Sequence, residues 1–365
     1  MSNMERVFNF SAGPSAIPEA VLLQAQKDLF NYPGAGCSVL EMSHRSASFQ
    51  EIIDNAEATL RRIMNIPEDY AVLFMQGGAT LQFSAVAMNL AKQGQKSAYA
   101  VTGQFSKKAF AEGKRWTDAV KVADSSDENF SYIPDITADM VPQTAAYFHI
   151  CGNNTIYGTT WWRKPQTGAV PFVADWSSAI LGANIKVEDH DLIYAGAQKN
   201  MGPSGMAVVI AKKALIDREI DPVVPIMLNY KVAMDNDSMY NTPPCFSIYM
   251  AGLMFEWVEQ NGGVAAMDAR NRARSSKLYD YIDNSKMFNN PVRACDRSIT
   301  NVTFTLPSQE DTDAFLKMAK GRGMINLKGH RSVGGCRASM YNGLPDAACE
   351  TLIECMKDFE AGKRE

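Results

Sequence analysis

Phe49, Ile52, Ile53, Ala56, Leu60 and Ile63 recur at the spacing of one helical face, which predicts an amphipathic helix buried along that stripe. Shorter apolar runs follow at 71–75, 97–101, 119–122, 145–150, 170–174 and 191–194. Their length suits buried strands, and helix-like or loop segments, such as a helix over 81–92, separate several of them. That alternation predicts an α/β fold whose main sheet is mainly parallel and covered by helices. A further strand is expected at 205–211, and then a long helical region over 250–283 that crosses a Gly262-Gly break. Beyond it, a strand at 301–306, a helix at 309–321 and a C-terminal helix from Pro345 read as a smaller α+β domain. Residues 1–16, whose later part enters the irregular stretch Asn9-Phe-Ser-Ala-Gly-Pro-Ser-Ala-Ile-Pro, form an arm expected to associate with that small domain; 17–261 form the large domain and 262–365 the small one.

Ligands of such sheets gather at the carboxyl ends of the strands. The segments after the apolar runs are Gly77-Gly-Ala-Thr80, Thr102-Gly-Gln-Phe105, Cys151-Gly-Asn-Asn-Thr155, Asp175-Trp-Ser-Ser and Gly196-Ala-Gln-Lys199. Together they supply amide donors, an aromatic ring, a hydroxyl, a carboxylate and an amine. Lys199 follows a strand-like run among small residues, a setting that excludes water and lowers an ammonium pKa toward a nucleophilic amine. Each residue alone has a plainer reading. Lys199 could be a solvated surface lysine, Phe105 core, Thr155 a loop hydroxyl and Asp175 a helix cap. The Gly77-Gly78 turn carries neither a Walker lysine nor a Gly-x-Gly-x-x-Gly spacing, so by itself it is a weak sign of a phosphate site. The conjunction of the five segments shifts the balance.

Composition narrows the classes. The 365 residues carry 36 Lys+Arg against 40 Asp+Glu, a balance that offers no electrostatic footprint for nucleic acid. The opening residues lack the layout of a secretory signal, and no apolar run reaches membrane-spanning length. A soluble cytoplasmic protein without membrane association is expected. Seven cysteines without a Cys-x-x-Cys, and four histidines without a His-x-x-x-His pair, suggest neither a disulfide framework nor a metal site.

Three other segments carry chemistry. His44 and Arg45 sit just before the start of the amphipathic helix, where anions are welcome. Asn241 and Thr242 precede two prolines that hold them extended, on what could equally be a linker. Gly329-His330-Arg331-Ser-Val-Gly-Gly-Cys-Arg337 combines glycine-rich backbone with two guanidinium groups, which suits a phosphate or carboxylate, or else a charged surface loop.

Taken together these pieces resemble the class V, fold-type I pyridoxal-phosphate aminotransferases along essentially the whole chain. The most specific marks are Asn9-Phe-Ser-Ala-Gly-Pro, Glu41-Met-Ser-His-Arg-Ser, Gln198-Lys199-Asn-Met-Gly-Pro-Ser-Gly, Tyr240-Asn-Thr-Pro-Pro and the Gly329–Ser339 segment. The resemblance implies pyridoxal 5'-phosphate as cofactor, Lys199 as the lysine that joins it covalently and moves the substrate proton, and Asp175 as partner of its ring nitrogen. It implies Gly78, Ala79, Thr80 and Gln198 at the cofactor phosphate, joined by Asn241 and Thr242 of a second subunit, with Thr155 at the ring hydroxyl. Phe105 takes the ring-stacking position, where many family members have tryptophan. Some relatives also have glycine and arginine where this chain has Ala79 and Thr80.

The implied substrates are glutamate and 3-phosphohydroxypyruvate, giving 2-oxoglutarate and phosphoserine in serine biosynthesis. A phosphorylated threonine analogue of pyridoxine biosynthesis is a further family activity. Arg337 would hold the α-carboxylate. His44, Arg45, His330 and Arg331 would receive the distal anion, the last two from the partner in a homodimer with shared active sites, and Ser11 would lie near the amino donor. Rival readings are an alanine–glyoxylate type of the same class, a cysteine desulfurase, for which neither Cys336 nor Cys295 is well set, and a binding protein with a decayed site, against which intact Lys199 and Asp175 speak.

Overall fold

A computed structural model describes residues 6–363. The first five residues of the expected arm and the last two of the small domain lie outside the described residues. The predicted amphipathic stripe forms the helix Ala47–Met64. Ser46 caps it by accepting a hydrogen bond from the Phe49 amide at 3.2 Å, and Asn65 ends it in the left-handed conformation, as capping rules anticipate. All six apolar positions of the stripe are buried, against the helix Cys245–Gln260 among others.

The central sheet has seven strands. Their order across the sheet is Tyr70–Gln76, Met206–Lys212, Leu192–Gly196, Phe172–Asp175, Phe148–Cys151, Lys96–Val101 and Asp118–Asp124. The last five are mutually parallel, while Met206–Lys212 runs antiparallel to both of its neighbours. One apolar layer, including Phe148, Ile150, Phe172 and Ile193, covers one face; another, including Tyr147, Val173, Tyr194 and Val209, covers the other. Burial on both faces explains why the strands read as continuous apolar runs rather than alternating ones.

The long helical region is broken where the Gly262-Gly pair predicted, and the helix beyond it adds a feature that the sequence did not show. The long helical region is two helices, Cys245–Gln260 and Gly263–Asn284, separated where Gly262 takes φ +90°, a conformation that costs glycine little. The second helix joins two cores. Val264 and Met267 pack with the sheet, whereas Leu278, Tyr279 and Ile282 pack in a separate core with Phe304, Phe315 and Phe359. That second core is built on an antiparallel pair, Asn301–Phe304 with Cys336–Ser339, and on the helices Gln309–Gly321 and Asp346–Glu360. The arm joins it. Phe8–Asn9 pairs in parallel with Met324–Ile325, and Phe10 is fully buried in the same core. Among the described residues no helix is long and apolar enough to cross a membrane.

Candidate active site

Parallel strands that end at one edge of a sheet deliver their following residues to one place. Cys151 stands beside Asp175, and Asp175 beside Tyr194, in the parallel register. Lys199 lies in the connection between Leu192–Gly196 and the antiparallel Met206–Lys212, closed at its base by the Ala197 amide donating to the Met206 carbonyl at 2.9 Å. The resulting cavity, about 440 Å³, is lined by Gly78, Ala79, Thr80, Phe105, Thr155, Asp175, Gln198, Lys199, His330, Arg331 and Arg337 among others. A larger cavity of about 600 Å³ lies between Arg62, Lys186, Glu188 and Glu259. Those charged residues are all exposed, and Arg62 and Glu259 pair with each other at 2.9 Å; the smaller cavity, which holds a buried amine and a buried carboxylate, is the candidate site.

Lys199 is only 9 % exposed, and its amine donates to the Thr155 hydroxyl at 2.8 Å. Burial pushes its pKa from 10.5 down to about 8; Asp175 and Cys151 resist that fall and Arg337 adds to it. Desolvation disfavouring the ammonium is the effect anticipated from the small residues around it. Burial also raises the Asp175 carboxyl, against hydrogen bonds from Ser177 and the nearby Lys199 charge. Its Oδ1 accepts from the Ser177 amide at 2.9 Å and the Ser177 hydroxyl at 2.5 Å. Ser177 thereby fixes the carboxylate, and its hydroxyl in turn accepts from the Gly196 amide at 2.9 Å.

The helix Ala79–Leu90 opens on Gly78 with no side-chain cap, so its first amides are available to an anion. The turn before it depends on Gly77. Its φ is +85°, and a Cβ there would lie 2.9 Å from the Leu81 side chain. Phe105 lies in the first turn of the helix Gln104–Gly113, and its ring centroid lies 5.6 Å from the Lys199 amine.

The small core contributes the opposite wall. Arg337 is half-buried, and its Nη1 donates to the Thr155 carbonyl at 3.4 Å, whereas its buried Nε has no hydrogen-bond partner. His330 Nδ1 accepts from the Ser332 amide at 3.2 Å, which leaves Nε2 as the protonated nitrogen of the neutral ring. Burial and the neighbouring Arg337, Arg331 and Lys108 lower the His330 pKa. The arm closes a third side. Ser15 donates through its amide to the Gln198 carbonyl at 3.0 Å and through its hydroxyl to the Lys199 carbonyl. Ala12 and Gly13 line the cavity.

Some expected residues are not brought here. His330 and Arg331 of this chain do line the cavity, whereas the expectation concerned the partner's copies. His44 and Arg45 lie outside this lining, in the turn before Ala47–Met64. Asn241 and Thr242 are exposed, with the Gln76 side chain donating to the Asn241 side chain at 2.9 Å and the Thr242 carbonyl at 2.7 Å. Ser11 is adjacent to the lining residue Ala12 without being part of the lining itself.

Sequence reading also missed Gln104, Lys108, Asn153, Ser177 and Ser178, which line the cavity. Their nearness to the strand ends was the available signal. Cys336 is buried in the small core with its thiol pushed up to about 12, and burial raises the Cys151 thiol well above its ordinary value. Neither is a ready thiolate nucleophile. No cluster among the described residues could hold a metal ion.

The chain matches the family model described as aminotransferase class-V over residues 7–350. It is 48 % identical over 361 residues to the phosphoserine aminotransferase of Bacillus cereus (strain ATCC 14579), covering 99 % of this chain and 100 % of that one. Among solved structures it is similar to a phosphoserine aminotransferase determined in a study of radiation damage to its Schiff base, with TM-score 0.95, 43 % identity and coverage of 99 % and 100 %. The PLP-bound phosphoserine aminotransferase of Trichomonas vaginalis matches with TM-score 0.91 and 38 % identity over 96 % of this chain and 100 % of that one.

Proposed function

The chain belongs to the class-V aminotransferase family, and from that membership we propose that it transfers an amino group between glutamate and 3-phosphohydroxypyruvate, with pyridoxal 5'-phosphate as cofactor. The observation that carries the reading is a buried amine of lowered pKa facing the same cavity as a buried carboxylate, with a wall of cationic side chains opposite. The residues present fit the cofactor. The uncapped helix start at Gly78–Thr80 suits its phosphate, the Phe105 face suits its ring, and the buried, unpartnered Nε of Arg337 awaits an anion.

When bound, the cofactor supplies a sink for the electrons released at the substrate Cα. Asp175 holds the proton on the ring nitrogen, and its buried position strengthens that charge pairing. Lys199 would hold the cofactor covalently, and its free amine would move the proton at the substrate Cα. Thr155, which already accepts from the Lys199 amine, orients that amine. Arg337 binds the α-carboxylate, His330 and Arg331 the distal anion, and Gln198 joins Gly78, Ala79 and Thr80 at the cofactor phosphate. The arm, with Ala12 and Gly13 against the lysine, excludes water from one side. In this reading 1–16 act as the arm, 17–261 as the cofactor-binding domain and 262–365 as the substrate-closing domain of a cytoplasmic enzyme.

An acceptor screen with glutamate as donor tests the reading. Turnover should be fastest with 3-phosphohydroxypyruvate. Preference for glyoxylate would favour the alanine–glyoxylate type.

Asn241, Thr242, His44 and Arg45 enter this function only if a second copy brings them to the cavity. Exposed Val223, Ile226, Met227 and Tyr240 lie near Asn241 along the chain, and an apolar surface of that kind supports pairing in a two-fold homodimer. Mixing Lys199→Ala subunits with subunits in which Asn241 and Thr242 are both alanine, each inactive alone, should restore roughly a quarter of wild-type activity after random exchange. No recovery despite demonstrated exchange would place the clamp in the same chain as Lys199.

A further inference from the structure

Lys108 is the one cation of the cavity wall that the reaction scheme above leaves without a task. It stands one helical turn after Phe105 on Gln104–Gly113, so the two side chains share a helix face. Its amine lies 5.7 Å from the Phe105 ring centroid, the same ring that the Lys199 amine approaches to 5.6 Å. Although exposed, Lys108 forms no ion pair with a carboxylate among the described residues, and it lines the cavity together with His330 and Arg331. Asp175 is the only carboxylate of that lining. A cation held at a cavity mouth without a counter-charge has an anionic ligand as its natural partner.

We propose that Lys108 is a specificity-determining residue that distinguishes the phosphorylated acceptor from the carboxylate-bearing donor by supplying a second positive charge opposite Arg331. This rests on the amino-transfer reading above. The two substrates present the same α-carboxylate end and differ at the far end. Glutamate ends in a carboxylate of one negative charge. A phosphate monoester carries about 1.5 to 2 negative charges at neutral pH. His330 is held toward its neutral form by burial and by the cations around it, so within this chain it offers the carboxylate a neutral donor and Arg331 offers it one full positive charge. Lys108 then matches the additional charge of the phosphate. As a compact ammonium with rotatable donors, it can reach any of the three phosphate oxygens without the fixed geometry a bidentate pair demands. Arg45 would add to this balance only from a second copy.

The experiment measures kcat/KM separately for 3-phosphohydroxypyruvate and for glutamate, in wild type, Lys108→Ala, Lys108→Arg and Lys108→Glu, with cofactor content checked by visible absorbance. For Lys108→Ala, kcat/KM for the phosphorylated acceptor should fall roughly tenfold, the scale of one charge-assisted contact, and carried mostly by KM. For glutamate the fall should be under about twofold, within the range of an exposed charge. Lys108→Arg should recover most of the loss, and Lys108→Glu should deepen it for the phosphorylated acceptor. Raising ionic strength should depress the wild-type value for that acceptor more steeply than the Lys108→Ala value. Equal losses for both substrates, no loss for either, or failure of arginine to rescue would overturn the assignment of Lys108 while leaving the amino-transfer reading in place. If wild type does not turn over the phosphorylated acceptor at all, both fall together.

Discussion

Replacing Lys199 with alanine is expected to abolish amino transfer, with a loss at or beyond the upper end of the about 10²–10⁴-fold that general-base catalysis alone contributes. Covalent attachment and proton movement at the substrate Cα both depend on this amine. The variant should also lose the visible absorbance that depends on the lysine–cofactor bond. A bond reducible by borohydride at a different lysine would overturn the assignment.

The pH dependence follows from the same burial. In the cofactor-free protein the amine titrates at about 8 rather than 10.5, so roughly a tenth of it is neutral at pH 7 and about half at pH 8. The rate of covalent attachment of pyridoxal phosphate should therefore rise about tenfold per pH unit below 8 and level off above it. A rate still climbing steeply toward pH 10 would mean that the amine is solvated. The sign of the linked stability is set by the same values. The unfolded chain holds the proton up to the ordinary lysine value and the folded chain releases it near 8, so the cofactor-free fold gains stability as pH rises between the two.

Asp175→Asn is expected to lower turnover by about 10²–10³-fold, the scale of removing one preorganised electrostatic partner, with the fold retained. The two side chains have nearly the same shape, and an asparagine Oδ1 can still accept from the Ser177 amide and hydroxyl as Asp175 does. Only the charge is lost. Because Asp175 raises the Lys199 pKa against the effect of burial, its removal should also shift the attachment profile of the cofactor-free protein to lower pH. An unchanged thermal midpoint together with both effects separates electrostatics from misfolding. Normal turnover, or a shift of the profile to higher pH, would move the role away from Asp175.

The parallel sheet was legible because double burial leaves unbroken apolar runs, and the five strand-end segments were legible because each follows its run directly. The break at Gly262 was visible as a Gly-Gly pair, yet the helix after it could not be divided between two cores from sequence. Val264 and Leu278 are equally apolar, and only packing tells which core each enters. Cys336 lay within a charged motif, but the strand places it in the small core.

By itself the sequence placed the lysine, the carboxylate, the aromatic ring and the glycine turn at strand ends that share one cavity, because a side chain next to a strand end is positioned by its immediate neighbours. What the tertiary structure decided was which cations share that space. Arg337 reaches the Thr155 carbonyl, and Lys108 meets His330 and Arg331 across the same cavity, through the docking of a small core on a large one. His44, Arg45, Asn241 and Thr242 read as equally good candidates in the linear chain, but within one chain the fold leaves them outside the lining of that cavity. Charge and spacing say that a side chain can bind an anion, whereas the path of the backbone between distant segments sets which anion it can reach.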